Sequence, residues 1–160
     1  MTMISASAAA TAVAPLPLGS NPEPAAAILA AAGRLLPHLE RGERVDAAAL
    51  RAAMETAFGA SDATGAWDWK TAYDACETAT VLFLRKYGRA LFRKAGSPAA
   101  RLSALSKIAN LLPTHTRRSA ESQTFQQFST PIPLGLVAAY AAAITPADRV
   151  LEPSAGTGLF

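Results

Sequence analysis

Arg149-Val150-Leu151-Glu152-Pro153-Ser154-Ala155-Gly156-Thr157-Gly158 is the stretch on which the reading of the fold turns. Two apolar residues before an acid predict a short strand over 149–152, and the glycines that follow at once predict a tight loop at its tip. Glycine lets a backbone approach a ligand closely and turn where a Cβ would collide. An acid at a strand tip can accept hydrogen bonds. A nucleotide-type cofactor is received in this way at the edge of a parallel sheet, although a two-glycine loop by itself is equally an ordinary surface turn. It is not a phosphate P-loop, because no Gly-Lys-Ser/Thr follows, and the third glycine of a dinucleotide fingerprint would fall beyond Phe160.

Upstream of the strand lie a turn at Thr145-Pro146-Ala147-Asp148, an Ala-rich apolar helix predicted over Ile132 to Ile144, and Phe128-Ser129-Thr130-Pro131. Helix, turn, strand and glycine loop in that order suggest the opening of an α/β domain. Val150 to Gly158 resembles motif I of class I S-adenosylmethionine-dependent methyltransferases, in the Glu-Pro form of adenine-N6 DNA methylases. Phe128-Ser129-Thr130-Pro131 looks like their motif X, and both order and spacing match. With the helical region before them, the pair is most similar to the N-terminal end of large bacterial methylase/helicase proteins of the strawberry notch-like family.

The resemblance implies a Rossmann-like domain beginning near residue 119, S-adenosyl-L-methionine as cofactor and DNA as the partner of the complete protein. By it, Thr130 and Pro131 contact the methionine end, Gly156 and Gly158 give close backbone approach, and Glu152 orients the cofactor. Phe128, Ser129, Pro153, Ser154, Ala155 and Thr157 complete the two motifs. The family's acidic ribose-binding strand end and its Asn/Asp-Pro-Pro-Tyr/Phe catalytic tetrapeptide are missing from the 160 residues. That tetrapeptide holds the target amine and stacks on the extruded base. No catalytic residue can therefore be named, and the chain is expected to be an inactive N-terminal part of its parent enzyme.

The region before the motifs is helical by pattern. Asn21 or Glu23 before Pro24 opens a first helix with a break or kink at Pro37. Asp46 caps a second through Phe58, and Ser61 to Gly65 is a turn. A third runs from about Trp67 to Ala95, and Ser97-Pro98 opens a fourth whose stripe Leu102, Leu105, Ile108 and Leu112 ends at Pro113. Residues 1–20 have no charge and little to bury, and read as a disordered leader before a helical region at 21–118.

Between Glu77 and Glu121 there is no acid but nine Lys/Arg, a block that the net charge of +3 conceals. At about 100° per residue, Arg85, Lys86, Arg89 and Arg93 fall within one quadrant of the third helix. Such a face suits a phosphate backbone and gives the alternative function, a non-catalytic helical module binding nucleic acid or a partner protein. It is equally a solvated face, or one that docks on another domain.

The composition agrees with a mainly α fold. Of the 51% hydrophobic residues nearly half are alanine, 38 in all, and 7% aromatics are too few for a β sandwich or barrel. Cys76 is alone, so neither a disulfide framework nor a zinc site can form. No convincing apolar span or secretory signal is present, which leaves a cytoplasmic, non-membrane protein as the expectation. Trp67, Trp69 and Tyr73 read as core rather than a base-stacking platform, and His38 and His115, lacking acidic neighbours, receive no role.

Overall fold

A computed structural model of the chain describes residues 24–113, 130–145 and 147–151. Within them the fold is mainly α, as expected, with no strand. The helices are α1 (Pro24–Arg41), α2 (Ala47–Phe58), α3 (Trp69–Lys94), α4 (Pro98–Ala109) and α5 (Ile132–Ala141), with a 3-10 turn at Asp62–Thr64. The expected leader at 1–20 lies outside the described residues.

Three helix starts are fixed by side chains that satisfy otherwise orphaned backbone donors. The Ala49 N–H donates to Asp46 Oδ1 at 2.8 Å, the Thr71 N–H to Asp68 Oδ1 at 2.8 Å and the Ala100 N–H to Ser97 Oγ at 3.2 Å. Gly59 ends α2 with φ +73, a left-handed conformation that costs glycine little, and its N–H returns to the Glu55 carbonyl at 2.8 Å.

Several boundaries differ from the sequence pattern. Helix α1 continues through Pro37 to Arg41, because Leu35 and Leu39, on either side of the proline, are both buried. Helix α3 starts two residues after Trp67, where Asp68 supplies the cap. Helix α4 stops at Ala109, so Leu112 leaves its stripe and enters a different part of the core, while the Leu111 carbonyl accepts the Val45 N–H at 2.7 Å. Helix α5 ends at Ala141 and Ala143 takes φ +51, short of the expected Ile144.

The core has two parts. The larger gathers Leu35, Leu39, Leu50, Met54, Trp67 and Leu112 around a seam of small residues, Ala31 and Ala32 of α1 against Ala72, Ala75 and Ala79 of α3. Alanines bring these two helices close enough to make the most extensive helix contact of the fold. The smaller part holds Leu105 and Ile108 of α4 with Ile132 of α5, under Leu84, Leu91 and Phe92 of α3. Phe83 packs against both.

Arg149, Val150 and Leu151 form no strand, and Glu152 lies outside the described residues. A strand needs a neighbour to bond its backbone groups, and none is found among the described residues. Val150 is 62% exposed and Leu151 88%.

Candidate functional site

Of the eleven residues assigned to the cofactor by resemblance, the structure describes Thr130 and Pro131. Phe128, Ser129, Glu152, Pro153, Ser154, Ala155, Gly156, Thr157 and Gly158 lie outside the described residues. Thr130 and Pro131 are both exposed at the N-terminus of α5, which has no side-chain cap. The Leu134 N–H, at 2.9 Å, and the Gly135 N–H, at 3.2 Å, both reach the Pro131 carbonyl.

Helix α5 carries no charged residue on any side. Ile132 and Leu136 seat it on α4, and the Tyr140 hydroxyl accepts a 2.7 Å hydrogen bond from Arg101 Nη1. Leu134, Val137 and Tyr140 remain exposed, with Ile144 just beyond the helix. Among the described residues, every exposed large hydrophobic side chain except Leu29 lies between 134 and 151.

The expected basic quartet is divided by the fold. Arg85, Arg89 and Arg93 are exposed and make no ion pair or side-chain hydrogen bond among the described residues. Lys86, at the edge of the quadrant, is instead tied to α1 by a 2.7 Å bond from its Nζ to Glu40 Oε1. The Tyr87 hydroxyl donates to the same oxygen at 3.0 Å, and the Lys86 ammonium lies 5.0 Å from the Tyr87 ring centroid. These hydrogen bonds, Lys86 first and Tyr87 second, hold the Glu40 carboxyl below its ordinary range. The Glu40 bond likewise raises Lys86. Lys86 thus joins two helices, and the free cationic stripe consists of three arginines. Glu40, which the sequence reading passed over, is the residue that makes the difference. Its signal was only a lone acid on the last turn of α1.

The remaining expectations resolve in the core. Trp67 and Tyr73 are buried, the Trp67 Nε1 donates to the Ala60 carbonyl at 2.9 Å, and Trp69 stands edge-on to Trp67 with ring centroids 6.0 Å apart. These aromatics are core. Cys76 is buried too, and burial first, with Glu77 second, pushes its thiol up to about 12, so it is no nucleophile at neutral pH. His38 does have an acidic neighbour: the turn at Gly42, φ +68, brings Glu43 to 3.4 Å from its Nδ1. Arg41 holds the same carboxylate at 2.8 Å. His115 lies outside the described residues. Among the described residues no cluster of His, Cys, Asp and Glu could hold a metal ion, and no helix is long and apolar enough to cross a membrane. No family model, curated protein or solved structure matches the chain.

Proposed function

We propose that residues 128–158 open a class I S-adenosylmethionine-dependent methyltransferase domain of the adenine-N6 DNA type, within a methylase/helicase protein of the strawberry notch-like kind that they resemble. The observation that carries this reading is α5. A helix apolar on all sides is a buried helix, yet α4 covers only one side of α5, the side of Ile132, Leu136 and Tyr140, and leaves Leu134 and Val137 exposed on the other. A sheet laid on that second side is what an α/β domain supplies, and Val150 and Leu151 have the residue types for its first strand.

The residues fit the cofactor in kind. An uncapped helix N-terminus beside an exposed threonine suits the carboxylate of a methionine group, and Thr130 stands at such an end in α5. Gly156 and Gly158 would allow close backbone approach, and Glu152 would accept hydrogen bonds from the cofactor. When bound, the cofactor supplies an electrophilic methyl group. The 160 residues contribute one wall of the pocket and no catalytic tetrapeptide, so weak binding without methyl transfer is expected of them. A protein acting on the chromosome also keeps to the cytoplasm of a bacterium.

Titration of the isotopically labelled chain with S-adenosylmethionine, followed by amide NMR, tests the proposal. The shifts should be confined to the neighbourhood of Thr130, Gly156 and Gly158, with a dissociation constant of about 1 mM or weaker, near −4 kcal/mol. Still amides at these positions at about 5 mM ligand, or methyl transfer by the chain alone, would count against it.

A further inference from the structure

Arg85, Arg89 and Arg93 follow one another at i, i+4 and i+8 on α3, with a rise of about 6 Å per step and about 12 Å in all. The side of the helix behind them is held by Phe83, Leu84 and Leu91, partly buried against the two core clusters, so the charges ride on a fixed surface. No carboxylate on α3 lies within reach: the nearest in sequence is Glu77, eight residues before Arg85 and about 12 Å along the axis. Glu40, the acid that α1 brings to this part of α3, is occupied by Lys86 and Tyr87.

We propose that this arginine stripe is a docking surface for the phosphate backbone of a nucleic-acid duplex, bound without regard to base sequence. A duplex presents one negative charge per about 1.7 Å of its axis, so the 12 Å run of the stripe faces about seven phosphates and can engage three of them in many registers. All three free cations are arginine, whose planar fork meets phosphate oxygens two at a time. A membrane surface fits less well. An interfacial helix also presents exposed large apolar side chains beside its cations, whereas those of this part of α3 are packed against the smaller core cluster and the exposed neighbour between Arg89 and Leu91 is Ala90. The stripe belongs to α3 and stands without the methyltransferase reading, so either proposal can fail alone.

Fluorescence anisotropy of two labelled duplexes of unrelated sequence, titrated with the 160-residue chain between 50 and 200 mM salt, is the test. Three phosphate contacts give a slope of log affinity against log salt of about −2.7, or about a 40-fold loss across that range. In Arg89→Ala the loss should shrink to about 12-fold for both duplexes, while far-UV circular dichroism remains that of the unaltered chain. Lys86→Gln should leave the slope as it is, since Lys86 is committed to Glu40. Absence of duplex binding at the lowest salt, an unchanged slope in Arg89→Ala, or a flatter slope in Lys86→Gln would overturn the proposal. Tighter binding to phosphatidylserine vesicles or to polyglutamate than to duplex, lost in Arg89→Ala, would overturn it in favour of a membrane surface or an acidic protein.

Discussion

Glu40 shows how one exposed residue can redirect a surface. Its carboxylate receives hydrogen bonds from Lys86 and Tyr87 on the neighbouring helix, and so removes one cation from a face that helical periodicity alone would give four. The pair is solvent-exposed, which keeps its contribution modest, but its pH dependence has a definite sign. Because the folded-state pKa of Glu40 lies below the ordinary 4.5, the stabilisation is present above that value. It fades as the pH falls through the lower folded value. Urea midpoints measured from about pH 5 to about pH 3 should therefore decline less steeply in Glu40→Gln than in the unaltered chain. Parallel declines would show that the contact contributes nothing measurable. The partner of Lys86 was not legible in the sequence, since 46 residues separate the two and no local pattern relates them.

At the scale of elements, starts were more legible than ends. Asp46 and Ser97 announce α2 and α4 because a cap is local chemistry, a short polar side chain meeting a backbone N–H three residues on. Ends answer to packing instead. The stripe of α4 reaches Leu112 on paper, but that residue is worth more in the larger cluster, and the helix gives way at Asn110. Pro37 is the opposite case, a residue expected to break or kink α1, which runs on through it to Arg41. Its ring cannot donate to the Gly33 carbonyl one turn back, but Gly33 is exposed, so water can satisfy that oxygen while Leu35 and Leu39 hold the helix together. The proline is therefore tolerated at a cost. Pro37→Ala restores a donor for Gly33 and should raise unfolding stability by about 1–3 kcal/mol in urea titrations. A loss of stability would mean that the ring itself packs where alanine cannot.

For the molecule as a whole, the sequence conveyed a mainly helical fold, and the described residues are mainly helical. Arg149 to Leu151 form no strand, because a strand is completed by neighbours that the described residues do not contain. The division of the core has a consequence for cooperativity. The larger cluster, with fourteen buried residues, ties α1, α2 and the first half of α3, whereas Leu105, Ile108 and Ile132 are the only buried residues of the smaller one among those described. So small a cluster is expected to open by itself, below the cost of global unfolding. Leu35→Ala then discriminates, because the form with α4 and α5 detached retains Leu35 in its core. The substitution destabilises the native and the partly open forms alike, leaving the free energy between them unchanged. With about 2–5 kcal/mol lost at a fully buried leucine, the slowest amides of α1 should exchange about 30-fold faster or more, while those of α4 and α5 keep their rates. Leu105→Ala, by contrast, should accelerate α4 and α5. Equal acceleration of all five helices in Leu35→Ala would show that Phe83, shared by both clusters, binds them into one cooperative unit.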